Sequence, residues 1–211
     1  MTSKGEAAMG EATWNELVRV MPPHAGAGDS SVDWEDIESA WGTRLPDDYR
    51  RFITAYGEGG IENFLEILSP RTADGDDFES EMAEETANAR GEWEPVPAAG
   101  PDAAPLIAWG VDTDGDILCW LTTGNEPNQW PVAVWGRHAD TPWTIYDCTM
   151  TKFLVKIFGA EFAECPLSGT DLWDKRHVTF LHRREEQRLR TQGINPWTGG
   201  ANLHVQTDVD D

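Results

Sequence analysis

The sequence is short of positive charge. Sixteen Lys and Arg stand against 38 Asp and Glu in 211 residues, a formal net charge of −22. That deficit argues against nucleic acid or an anionic membrane as a direct partner. It fits either charge-based solubility or a basic protein partner. Long apolar runs are also missing: none approaches the ~20 residues of a membrane-spanning helix. The opening Met1-Thr-Ser-Lys-Gly-Glu lacks the basic-then-apolar order of a signal peptide. Cysteine is scarce, with Cys119, Cys148 and Cys165 widely spaced and no C-x-x-C. An odd, scattered set gives no disulfide framework and no zinc site, so reduced, mostly buried thiols in a cytoplasmic protein are expected. The five histidines (His24, His138, His177, His182 and His204) show no metal-ligand spacing, and no internal repeat is present.

What the sequence does have is tryptophan, eleven of them, in a chain of ordinary apolar content. Disordered chains do not carry such a load. A chain of 211 residues suits one domain with an appendage, and can bury about 70–75% of its unfolded surface. The most informative stretch runs from Val32 to Leu68. Trp34, Ile37 and Trp41 fall on one face of a helical period, with Asp33 as N-cap and Gly42 where a left-handed C-cap belongs. Leu45-Pro46 forces an extended turn. A second helix starts at Asp47-Asp48, whose charges suit a helix N-terminus without any catalytic role, and carries Tyr49, Phe52, Ile53 and Tyr56 on one face. Gly57, Gly59 and Gly60 are expected to end it, before a strand over 64–68.

Residues 1–12 read as frayed, with a capping box at Thr13-x-x-Glu16 starting a short helix that Pro22-Pro23 stops. A flexible joint over 24–31 follows. From about Asp77 to Arg90 a helix is predicted with Phe78, Met82 and Ala89 inward. Its outer face and the loop before it carry Asp74, Asp76, Asp77, Glu79, Glu81, Glu84 and Glu85 beside one Arg90. After a proline-rich loop, strands are predicted over Leu106–Trp109, Ile117–Leu121, Pro131–Trp135 and Trp143–Asp147, close enough in sequence to pair antiparallel. Met150–Phe158 follows as an amphipathic helix. Beyond Cys165-Pro166, a helix capped by Ser168 or Thr170 is expected to carry Trp173, His177, Phe180, Leu181 and Leu189 and end at Gly193. The piece from Trp173 to Arg190 is net +3, so it should lie back on the acidic body, with Ile194-Asn-Pro-Trp197 as anchor and an acidic tail beyond. Helices gathered on an antiparallel sheet define an α+β class.

Three features carry a family resemblance. The first is Trp34…Ile37-Glu38…Trp41-Gly42…Leu45-Pro46-x-Asp48-Tyr49-x-x-Phe52…Tyr56-Gly57-x-Gly59. The others are the run from Leu106 to Trp120 and the strand Trp130-Pro-Val-Ala-Val134. In this order they resemble the SMI1/KNR4 domains of the SUKH superfamily, over roughly Trp14 to Phe162. The resemblance implies an α+β, SUKH-like domain over 31–164, preceded by a helix and linker over 1–30 and followed by a helical extension and tail over 165–211. It also implies no agreed catalytic set. SUKH domains recur as immunity proteins of bacterial toxin systems, often against nucleases, which are usually basic.

Two motifs invite chemistry. Asp112-Thr-Asp114-Gly115-Asp116 looks like the opening of a calcium loop. Counted from Asp112, however, position six is Ile117 and position twelve Thr123, so the EF-hand pattern fails twice and an Asp-Gly hairpin turn explains the residues. Cys148 with His138 would need proximity that the spacing does not provide, and inert thiols are the expectation. The expected function is a cytoplasmic, non-enzymatic binding protein without cofactor or metal. It would neutralise a basic toxin domain by covering its working surface, with Asp74, Asp76, Asp77, Glu79, Glu81, Glu84 and Glu85 as the candidate contact face. Two alternatives stand beside it: a regulatory adaptor of the same fold, and a metal-dependent hydrolase built on the Asp112–Asp116 loop.

Overall fold

The computed structural model describes residues 3–24, 28, 32–70, 81–93 and 105–201. Helix α1 runs over Ser3–Val20, α2 over Trp34–Trp41 and α3 over Asp47–Tyr56. Strands β1 (Gly59–Ile61) and β2 (Leu65–Ile67) precede helix α4 (Glu81–Glu92). Strands β3 (Leu106–Asp112), β4 (Ile117–Leu121), β5 (Val132–Trp135) and β6 (Trp143–Tyr146) lead into helix α5 (Met150–Phe158). Strand β7 (Phe180–His182) and helix α6 (Arg183–Thr191) follow. The seven strands form one antiparallel sheet in the order β6-β5-β4-β3-β2-β1-β7. The fold is therefore α+β, a sheet flanked by helices.

Strand alternation assigns each residue to a face. The inner face receives Leu65, Ile67, Ile107, Trp109, Leu118, Trp120, Val132 and Phe180. Against it pack Tyr49, Phe52 and Tyr56 of α3 and Phe153 of α5, all fully buried. Tyr49 meets Trp120 edge-on at 5.0 Å, Trp109 meets Phe153 at 6.1 Å, and Phe180 meets Tyr56 at 5.3 Å. Two phenols anchor this layer: Tyr49 Oη donates to the Leu68 carbonyl at 2.6 Å and Tyr56 Oη to the Met21 carbonyl at 2.5 Å. A bulge at Trp109 shifts the β3–β4 register and keeps this indole inside.

The α2–α3 corner forms as its sequence predicts. Asp33 Oδ1 accepts from the Glu35 and Asp36 amides, and Gly42 takes φ 67° to close α2. Asp48 does more than favour a helix start. Its Oδ2 accepts from the Thr151 amide at 2.9 Å and hydroxyl at 3.1 Å, tying α3 to the first turn of α5.

Three expectations are corrected. Helix α1 starts ten residues before Thr13, and Thr13 Oγ1 donates to the Met9 carbonyl inside a running helix, so the capping box is not used. Ala- and Glu-rich sequence propagates the helix backwards, and Arg51 holds it by pairing with Glu11 and covering the Trp14 ring at 4.2 Å. Gly59 and Gly60 belong to a strand, β1, which turns into β2 through Glu62 and Asn63, both left-handed at φ 56° and 55°. The C-terminal extension is not one helix from Ser168. Residues 170–179 are turns and irregular backbone, and Phe180–His182 pairs with β1 before α6 begins. Edge pairing plus burial of Phe180 between Phe52 and Tyr56 outweighs the helical spacing of its apolar residues.

Candidate functional site: an acidic trough on the outer face

The opposite face of the sheet receives Gly60, Glu66, Val111, Ala108, Ile117, Cys119, Ala133, Trp135, Trp143, Ile145 and Leu181. Helix α4 covers its centre. Met82, Thr86 and Ala89 are the buried side of that helix, Thr86 Oγ1 accepts from the Ala108 amide at 2.9 Å, and Arg90 Nε donates to the Leu106 carbonyl at 3.0 Å. The β1 end is covered by the C-terminal extension. The indole of Trp197 lies over Gly60, where an added Cβ would come within 3.1 Å of it.

Between these two covers the sheet is left open, among the described residues, as a trough. It comprises two adjoining depressions of about 280 and about 300 Å³ that share Glu66 and Val111. One depression is bounded by Trp197, Glu186 and Arg190. The other is bounded by Glu81, Glu84, Glu85 and Arg183. Arg183 bridges the walls: it hydrogen-bonds both carboxylate oxygens of Glu81, one at 2.8 Å, and also Glu66 across the floor. The Glu81 hydrogen bonds, helped by Glu66, raise the guanidinium pKa above its ordinary value. The basic extension thus reaches the acidic body through a specific arginine and a tryptophan.

Three of the sequence-predicted contact residues, Glu81, Glu84 and Glu85, come together on this rim. Asp74, Asp76, Asp77 and Glu79 lie outside the described residues. Sequence reasoning missed Glu66. Its signal was a lone carboxylate in the middle of Phe64-Leu-Glu-Ile-Leu68, which alternation puts on the face opposite Leu65 and Ile67.

The Asp112–Asp116 loop is a hairpin turn in which the Asp112 and Asp116 carboxylates accept hydrogen bonds. Asp112 Oδ1 accepts from the Asp114 and Asp116 amides at 3.0 and 2.9 Å. Asp116 accepts from the Arg137 amide and from the amide and hydroxyl of Ser168, at 2.6 to 3.0 Å. The turn therefore latches the start of the C-terminal extension. Asp112 Oδ2 is buried without a hydrogen-bond partner, and burial pushes this carboxyl up to about 7. No group of three or more His, Cys, Asp and Glu is arranged to hold a metal among the described residues. Burial also raises the thiols, Cys148 to about 11 and Cys119 further, which removes thiolate character at neutral pH.

The order of elements, the Leu-Pro corner between α2 and α3 and the central hairpin are set within residues 32–154. Over that range the sequence matches the SUKH_6 family model, described as SMI1-KNR4 cell-wall. This is more than half of the chain. The chain belongs to the SMI1/KNR4 family. No curated protein and no solved structure matches it. The family match ends inside α5, so β7, α6 and Trp197, which close one side of the trough, lie outside the matched range.

Proposed function

We propose that this SMI1/KNR4 chain is a non-enzymatic binding protein of the immunity type. It neutralises a basic protein partner, a toxin domain, by covering the partner's working surface with the acidic rim of the trough. The observation that carries this reading is the lining of the Arg183 depression: Glu66, Glu81, Glu84 and Glu85 with one arginine, on a chain of net charge −22. Clustered carboxylates of this kind accelerate encounter with a basic surface, and they discriminate against acidic partners. That Asp112 Oδ1 and both Asp116 oxygens are taken up in holding the turn and Ser168 favours a binding role over metal-dependent hydrolysis.

The test is co-expression with the product of an adjacent reading frame that encodes a basic toxin domain. A 1:1 complex on light scattering is expected, with loss of the partner's activity. A Glu84→Lys/Glu85→Lys variant should weaken the complex by about tenfold or more, since like-charge juxtaposition costs several kcal/mol at an interface. A complex unaffected by this double reversal would contradict the reading. Capture of a neutral or acidic endogenous protein instead would favour the adaptor role.

A further inference from the structure

The two edges of the sheet are treated differently. Strand β7 is three residues long, buried at every position, and turns directly into α6. Strand β6 is open: Thr144 and Ile145 are exposed, and no segment pairs with its outer side among the described residues. Ile145 is 48% exposed, one of two exposed large apolar side chains among the described residues.

Register says which backbone groups of β6 face away from β5. Gly136 N–H donates to the Pro142 carbonyl at 2.8 Å, which makes 136 and 142 a close pair. Alternation then turns the N–H and C=O of Thr144 and Tyr146 towards β5, and those of Trp143 and Ile145 outwards. Trp143 is held in place, its ring 4.9 Å from Trp93 and its Nε1 donating to the Glu92 carbonyl at 3.1 Å. The edge is thus a rigid, pre-formed template.

Soluble proteins guard such an edge with lysine, an inward charge or a bulge. Residues 138–151 contain no Lys or Arg at all. Exposed Asp140 and Asp147 bracket the strand instead. With −22 on each chain, two copies repel, and net charge does the guarding that lysine would otherwise do. A segment of opposite charge feels no such barrier.

We propose that the β6 edge is a strand-addition site for an extended, basic segment of a partner protein. The segment hydrogen-bonds to Trp143 and Ile145, lays an apolar side chain against Ile145, and places its cationic residues near Asp140 and Asp147. Main-chain pairing supplies affinity, and the bracketing acids select the partner. This rests on the preceding functional reading only for the partner's charge.

The probe is an acetylated, amidated hexapeptide of alternating arginine and valine, titrated into the full chain and read by calorimetry and amide exchange. Binding should slow exchange of the Trp143 and Ile145 amides. Ile145→Pro removes an outward donor without touching the β5 ladder, and should lower affinity at least tenfold. Ile145→Lys, which needs no backbone change, should do likewise. A peptide of the same charge with N-methylated valines should bind neither the parent nor the variants. Equal affinity of parent, Ile145→Pro and Ile145→Lys would overturn the site. Should only Glu84→Lys/Glu85→Lys then lose the peptide, the edge fails while the acidic-trough reading stands. If a serine–valine hexapeptide binds as well as the arginine one and Ile145→Pro abolishes both, strand addition holds and a basic partner does not. A parent dimer that Ile145→Pro dissociates would make a second copy the occupant and overturn the proposal as stated.

Discussion

At the residue scale the most consequential group is Asp112. Its folded pKa, about 7, lies above the ordinary 3.8 because its carboxyl is buried and one oxygen has no partner. Between pH 4 and 7 the unfolded chain has therefore released a proton that the folded chain still holds, and this group makes stability fall as pH rises through that window. Above pH 7 the penalty is complete. Asp112→Asn keeps an acceptor for the Asp114 and Asp116 amides and removes the buried charge. It should match the parent near pH 4 and exceed it above pH 7 by on the order of 1–3 kcal/mol, several degrees in Tm. Thermal melts of both proteins from pH 4 to 8 check this. A difference that does not grow with pH would show that Asp112 is not the buried ionising group.

At the element scale, the C-terminal extension behaves as part of the sheet. Gly59 has φ +155°, and an added Cβ would sit 2.2 Å from the Leu181 carbonyl oxygen and 2.9 Å from the His182 Cα. Gly59→Ala should push β7 off β1 and unseat Phe180 from Phe52 and Tyr56. A loss of about 3–5 kcal/mol is expected, the range for emptying an aromatic site, with faster amide exchange over residues 180–182. An unchanged melt would make the extension an independent tail. A second element-scale test is Arg183→Ala, which frees Glu66 and Glu81. Because that pair is half exposed, stability should change by only about 1 kcal/mol.

Much of the fold is legible in local sequence signals. The α2–α3 corner announced itself through local signals: Asp33, Gly42, Leu45-Pro46 and the Tyr49/Phe52/Tyr56 stripe. So did α5 and the strands from β3 to β6. The short strands β1 and β7 did not, because three residues held by pairing about 120 positions apart carry no periodicity of their own. Gly59 and Gly60 looked like terminators, yet the structure uses their missing side chains to admit β7 and Trp197. The acidic rim was half visible. Glu81, Glu84 and Glu85 were found by charge density, while Glu66 and Arg183 belong to it only through strand alternation and a distant turn.

At the scale of the whole molecule, the proposed recognition rests on net charge. A −22 chain repels its own copies and attracts basic surfaces. Helix α4, at the centre of the outer face, places Glu81, Glu84 and Glu85 beside the trough. Glu81 is engaged by Arg183, so Glu84 and Glu85 are the carboxylates whose reversal should alter binding with the least effect on folding. The most direct measurement is stopped-flow association of the parent and Glu84→Lys/Glu85→Lys with the cognate basic partner, across salt from about 20 to about 500 mM, where the Debye length shrinks from roughly 20 to roughly 4 Å. The expected result is a parent rate that falls at least tenfold with salt, a variant several-fold slower at low salt, and convergence of the two at high salt. Equal rates for both proteins, flat across the salt series, would contradict the claim that this acidic rim recognises the partner.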